Sequence, residues 1–154
     1  SIDLGGIGKE YAADRAADIM ARAGVRHGYA NLGGDLRAIG PKHDGTPWMI
    51  GIQHPRNAGQ LIASIPVTEG GLASSGDYER YFERDGRRYC HLLRPGDGWP
   101  VSHWQAISVL APQAITAGAT ATIAMLMEDR ALGFLNSAGF SYLAVNAEGE
   151  IFSV

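Results

Sequence analysis

The sequence predicts an α+β fold of antiparallel strands and two long helices. Apolar residues recur at helical spacing near residues 8–23 and again near 112–128. Around them run short apolar stretches separated by Gly-Gly, Asp-Gly and Glu-Gly pairs, the punctuation of hairpins. Strand and helix do not alternate at the βαβ spacing that a parallel sheet needs. The bulk numbers fit one domain with a real core: 154 residues, 45% hydrophobic and 19% charged. A net charge of −3 without a basic stripe gives no reason to expect a nucleic-acid partner. The single cysteine, Cys90, excludes an internal disulfide framework and a cysteine-rich zinc site, and reads as a small buried filler. The longest apolar run, Ala117–Met127, is broken by Gly118, Thr120 and Thr122 and is too short to span a membrane.

Taken in order, Ser1–Leu4 reads as a strand end that runs into a glycine turn. The helix at 8–23 is expected to bury Tyr11, Ala12, Ala16, Ile19, Met20 and Ala23 and to expose Asp14, Arg15, Asp18 and Arg22, with Gly24 as its stop. Strands at 28–32 and 36–39 flank Gly33-Gly34. A loop at 40–47 leads to strands at 48–53 and 60–66 around the turn-rich HPRNAG. Strands at 78–84 and 87–93 flank Asp85-Gly86, a pair that tolerates positive φ. A strand at 104–110 precedes the helix at 112–128, with Pro112 in its first turn. A short helix at 130–138 and a hairpin at 140–153 around Glu148-Gly149 close the chain.

Four segments carry possible chemistry. Asp3-Leu4-Gly5-Gly6-Ile7-Gly8-Lys9 feeds a helix N-terminus, where unpaired N–H groups and the helix dipole favour an anion and Lys9 adds a charge. The alternative is a plain strand-to-helix turn. Asn31 with Gly33-Gly34-Asp35 offers close backbone approach and a carboxylate, or simply a hairpin turn. Ser74-Ser75-Gly76-Asp77-Tyr78 supplies hydroxyls and an acid that can equally cap a turn. His91 precedes a loop holding Arg94, Asp97 and Pro100, from which it can reach a phosphate or serve only packing. The other histidines show no metal-ligand spacing.

Taken together, DLGGIGKEYAADRA at 3–16, NLGGDLRAIG at 31–40, SSGDYERY at 74–81 and RYCHLLRPGDGWP at 88–100 resemble the ApbE family, the FAD:protein FMN transferases. The resemblance implies that residues 1–154 are the C-terminal part of a single FAD-binding domain, about half of an ApbE-like fold, with the N-terminal half absent. It implies transfer of FMN from FAD to a threonine or serine hydroxyl of a target protein, with release of AMP. FAD would lie in a cleft shared with the missing half. Lys9, Asn31, Gly33, Gly34 and Asp35 would help hold it, Ser75 and Gly76 would lie near the flavin or pyrophosphate, and His91 would act catalytically near the pyrophosphate. A magnesium ion would take the Gly6 carbonyl, a carboxylate at position 118 and the Thr122 hydroxyl. The implied setting is the periplasm or cell envelope, with any membrane tether confined to the absent N-terminus.

The chain departs from the family pattern at three places. Position 118 is glycine, so the metal carboxylate is missing. Arg94 stands where the family has aspartate and Asp97 where it has threonine. Arg94 can supply cationic charge in place of metal, or be a surface arginine; Asp97 can lend a carboxylate to metal. Ala117-Gly118-Ala119-Thr120 is similar to the short site on which FMN is placed, but its apolar helical setting favours packing. Two functions therefore stay open: an active transferase, or an FAD-binding member that has lost metal and transfer activity. A carboxylate converging on Thr122 and Gly6 would favour the first.

Overall fold

The structure, a computed structural model, describes residues 4–154; Ser1, Ile2 and Asp3, read above as a strand end and the start of the glycine turn, lie outside the described residues. Helix α1 spans Gly8–Arg22 and is followed by strands β1 (Gly28–Leu32), β2 (Asp35–Gly40), β3 (Trp48–Gln53), β4 (Leu61–Val67), β5 (Gly70–Gly76), β6 (Tyr81–Arg84), β7 (Arg87–Cys90) and β8 (Trp104–Ala111). Helix α2 (Ala114–Leu126), a 3-10 turn (Glu128–Arg130), helix α3 (Ala131–Ala138) and strands β9 (Ser141–Asn146) and β10 (Ile151–Ser153) complete the chain. The expected α+β class and its two long helices are present.

Six strands form one antiparallel sheet in the order β1-β2-β5-β8-β9-β10, while β3–β4 and β6–β7 are separate hairpins. Strand alternation sorts the side chains. Ala73, Ile107, Val109 and Ala144 face the helices and pack with Ala117, Ala121, Ala124, Met125 and Leu135. Leu36 pairs with Leu72, and Leu72 with Leu110, on the opposite face. There Leu36, Ala38 and Leu72 meet Ile52 and Val67 of the β3–β4 hairpin. That hairpin is tied to the end of β5 by Arg56, whose two guanidinium nitrogens donate to the Asp77 carboxylate at 2.6 and 2.7 Å.

The turn-based expectations hold because their glycines adopt left-handed backbone. Gly33 and Gly34 have φ of +65° and +99°, the geometry of a tight two-residue hairpin turn. Gly24 has φ of +91° and ends α1, with the Val25 N–H donating back to the Met20 carbonyl at 3.0 Å.

Three expectations are corrected. The buried face of α1 is Glu10, Ala13, Asp14 and Ala17, whereas Tyr11 and Ile19 are exposed. Small alanines let α1 approach α2 and β2, and the two carboxylates on that face are held by partners described below. Helix α2 starts two residues later than expected: Gln113 is its cap position, and Pro112 lies outside with its carbonyl accepting from Arg37. Strand β5, Gly-Gly-Leu-Ala-Ser-Ser-Gly, was not expected at all, yet it lies inside the sheet between β2 and β8.

The composition of β5 follows from the close approach of α2. A Cβ on Gly71 would stand 2.1 Å from the Ala114 nitrogen and 2.3 Å from the Gln113 carbonyl carbon, both rigid backbone. Gly71→Ala is therefore expected to cost at least about 2 kcal/mol through displacement of α2, read as a lowered urea midpoint with an unchanged m-value.

Candidate functional site

The site is assembled where α1 begins. Ile7 and Gly8 both donate to the Leu4 carbonyl, at 3.1 and 2.8 Å, which turns the chain sharply into the helix. Ile7 at the cap position makes no side-chain capping bond, and the Gly8 N–H is taken by Leu4, so it is the positive end of the helix dipole that faces this region. The glycine turn, the first turn of α1, the β1–β2 turn, the end of β5, Glu79-Arg80, His91-Leu92 and Thr122 line one cleft of about 800 Å³.

Of the residues singled out from sequence, Gly6, Lys9 and Gly33 line this cleft on one side. Ser75, Gly76, His91 and Thr122 line it as well. Asn31, Gly34 and Asp35 stand behind it. The Asn31 side-chain oxygen accepts from the Gly34 N–H at 2.9 Å and fixes the turn. Asp35 is buried; one oxygen lies 2.6 Å from the Lys9 ammonium, an ion pair without a well-directed hydrogen bond, and the other accepts from the Ser74 N–H at 3.3 Å. An ammonium has three donors, so Lys9 stays half exposed to the cleft while anchored. Ser75 faces the helices by alternation, and its hydroxyl meets that of Thr122 at 2.7 Å. Ser74, on the other face, bonds Ser108 at 2.7 Å.

His91 is held by Arg80: its backbone N–H donates to the Arg80 carbonyl at 3.1 Å, and its Nδ1 lies 3.2 Å from the same oxygen. With Nδ1 protonated toward that carbonyl, Nε2 is left as an acceptor. Burial lowers the pKa of His91, and the charges of Arg80 and Lys9 add to the effect against the opposing hydrogen bond. The imidazole is therefore neutral near pH 7.

Glu10 is the residue that sequence reading missed. It lies on the cleft wall, is 6% exposed, and its Oε2 has no hydrogen-bond partner among the described residues. Burial raises its pKa; its own backbone N–H works against this, the charge of Asp35 reinforces it and Lys9 offsets it. Its carboxylate sits against Gly118, where an added Cβ would meet Glu10 Cγ at 2.6 Å and Oε1 at 2.7 Å. Four residues on, Asp14 accepts from the Ala114 and Ile115 N–H groups at 2.8 and 3.0 Å, closing the N-terminus of α2. The signal that would have found both is the 10, 13, 14, 17 spacing on α1, a narrow face of small and acidic residues.

Arg94 and Asp97 are not part of the cleft. They pair with each other at 3.1 and 2.7 Å, Asp97 also accepts from the Trp99 N–H at 3.0 Å, and Arg94 lies 3.6 Å from Glu128. Both line a separate cavity of about 820 Å³ with Ile123 and Leu126. Of the alternatives left open for them, their mutual pairing in the 94–99 turn and their absence from the cleft lining favour a surface arginine over a role beside a metal. Asp77 is engaged by Arg56, with Arg88 at 3.7 Å, and does not line the cleft either. Thr120 is buried in α2, consistent with packing, and Cys90 is buried with a raised pKa, an inert thiol. Among the described residues no three His, Cys, Asp or Glu side chains cluster as metal ligands, and no helix is long and apolar enough to cross a membrane.

A glycine turn, a helix N-terminus, a lysine and paired hydroxyls on one wall of an antiparallel α+β sheet define a domain suited to a phosphate-bearing ligand. The chain belongs to the ApbE family, which it matches over residues 1–144. It is 38% identical over 135 residues to an FAD:protein FMN transferase of Haemophilus influenzae, covering 85% of this chain and 39% of that protein. It is 31% identical over 154 residues to the FAD:protein FMN transferase of Escherichia coli K12, covering 98% of this chain and 44% of that protein. Among solved structures, the ApbE protein of Thermotoga maritima superposes with a TM-score of 0.91 at 39% identity, over 99% of this chain and 51% of that one. The apo form of the Pseudomonas stutzeri flavinyl transferase ApbE gives a TM-score of 0.85 at 32% identity, over 100% of this chain and 49% of that one. The chain thus spans about half the length of the relatives it matches.

The anchoring of Lys9 is open to measurement. Asp35→Ala is expected to lower unfolding free energy by about 2 kcal/mol, because the half-buried Ser74 N–H loses an acceptor and Lys9 its partner. Urea denaturation followed by tryptophan fluorescence checks this.

Proposed function

We propose that the protein containing these residues is an FAD:protein FMN transferase. It binds FAD in the cleft and transfers FMN to a threonine or serine hydroxyl of a partner protein. In that step the hydroxyl oxygen bonds to the flavin-side phosphorus of FAD, the bond from that phosphorus to the AMP oxygen breaks, and the hydroxyl proton passes to a base. The observation that carries this reading is the convergence of the α1 N-terminus, Lys9, His91, the Ser75–Thr122 hydroxyl pair and a buried carboxylate on one cleft.

Each group has a part that its environment supports. The helix N-terminus and Lys9 hold the pyrophosphate, with Asp35 keeping Lys9 in place and Asn31 and Gly34 shaping the turn that brings Gly33 to the ligand. Gly76 leaves room for the Tyr78 ring, which a Cβ would meet at 2.3 Å, and lies with Ser75 in the lining toward the flavin or pyrophosphate. His91, neutral and with Nε2 free to accept, takes the hydroxyl proton. A magnesium ion fits this wall, because an orphaned carboxylate oxygen and a hydroxyl are hard donors, and the Gly6 carbonyl and Thr122 Oγ1 would help hold it. When bound it would neutralise charge on the pyrophosphate. The non-catalytic alternative loses its main support, since a carboxylate does reach the place where position 118 lacks one.

The proposal covers the whole protein and includes a periplasmic or cell-envelope setting. The outward stripe of α1, with Ile7, Tyr11 and Ile19 exposed, is assigned to packing against the rest of the protein, so the 154-residue segment alone is expected to be inactive.

Two measurements test this reading. Intact-mass spectrometry of a threonine-bearing acceptor domain, incubated with the full-length protein, FAD and magnesium, should show the gain of one FMN; no gain from protein that binds FAD would return the binding-only reading. His91→Gln should lower kcat by about 100-fold or more. Because burial depresses the His91 pKa, the imidazole is charged only at acid pH. Wild-type kcat/KM should therefore fall only below pH ~6.5, and that acid limb should disappear in the variant.

A further inference from the structure

We infer that Glu10 is the metal carboxylate of this protein, supplied from α1 in place of the aspartate that position 118 lacks. The inference rests on the transferase reading for its ligand, but its argument is geometric. Glu10 and Gly118 belong to different helices and share one small volume. The Glu10 carboxyl carbon lies 3.0 Å from the point where a Cβ of residue 118 would stand. An aspartate there would carry its own carboxyl carbon about 1.5 Å beyond that Cβ. The two carboxylates are alternatives for one space.

Glu10 also has the properties of a ligand. It is 94% buried by its 6% exposure, lines the cleft with Gly6 and Thr122, and carries an oxygen that no group among the described residues satisfies. A buried carboxylate oxygen without a partner is costly, and a hard divalent cation is a partner that would remove the cost. Lys9, the adjacent cation on the same turn, is committed to Asp35 at 2.6 Å. Thr122 lies one helical turn beyond Gly118 on α2, so a carboxylate placed over Gly118 and the Thr122 hydroxyl occupy the same side of that helix. For Glu10 to occupy this space, the residue at 118 has to be small.

The test uses the full-length protein with Mn²⁺ as an EPR-visible hard cation, titrated with and without FAD. Wild type should bind one Mn²⁺ that magnesium displaces. Glu10→Gln should weaken Mn²⁺ at least about tenfold, equivalent to about 1.4 kcal/mol, while melting no lower than wild type, since it replaces a buried unpaired charge. The double exchange Glu10→Gly with Gly118→Asp should restore Mn²⁺ affinity to within about threefold of wild type, or ~0.7 kcal/mol. Unchanged Mn²⁺ binding in Glu10→Gln overturns the inference. So does a folded double variant that binds FAD but no Mn²⁺, and so does wild type that binds FAD but no Mn²⁺. Flavin fluorescence quenching scores FAD binding separately, so failure of the flavin reading shows as lost quenching and not as lost Mn²⁺ discrimination between the variants.

Discussion

The site depends on one buried carboxylate closing one helix. Asp14 on α1 accepts the first two N–H groups of α2, those of Ala114 and Ile115, which no capping side chain of α2 itself satisfies. An anion at a helix N-terminus, shielded from water, is among the stronger polar contacts a small domain can make. Arg37 of β2 lies 3.7 Å from Asp14 and donates to the Pro112 carbonyl, so helix, helix and sheet meet at one point. Everything nearer the cleft follows by helical repeat. Four residues before Asp14 is Glu10, four residues after Ala114 is Gly118, and the antiparallel crossing sets them against each other. Had α1 been placed by apolar burial alone, it would have turned Tyr11 and Ile19 inward and carried Glu10 away from the cleft.

Much of the fold was legible because turns impose backbone demands that few residues meet. Gly33-Gly34, Gly24 and Asp85-Gly86 mark their turns by positive φ, and the strands on either side follow. Strand β5 was illegible for the opposite reason. Its residues are small because α2 comes within contact of its backbone, and a strand of glycine, alanine and serine carries neither alternation nor β-propensity. The face of α1 was misread because periodicity ranks residues by hydrophobicity, whereas this face is chosen by where its carboxylates find partners.

The site divides similarly. Lys9, Gly33, Ser75, Gly76 and His91 were readable because each lies in a local motif, and the structure gathers them around one cleft. The supporting groups were partly readable: Asn31 and Asp35 belong to the same turn, but the Arg80 carbonyl that orients His91 is a backbone group with no sequence signature. Glu10 was hidden because its meaning depends on a contact between two helices far apart in sequence. Arg94 and Asp97 stayed open in the sequence because opposite charges three residues apart at a turn can satisfy each other as readily as a ligand, and here they pair at 2.7 Å.

The crowding of Glu10 and Gly118 constrains how such a chain can change. From this arrangement, acquiring an aspartate at 118 alone forces two like charges and their atoms into one space, while losing Glu10 alone leaves the space with no carboxylate. With Glu10 assigned to the metal, either single step would pass through an impaired protein, and only the paired change would be neutral. The two positions are thus epistatic, and descendants of this sequence are expected to keep or exchange them together.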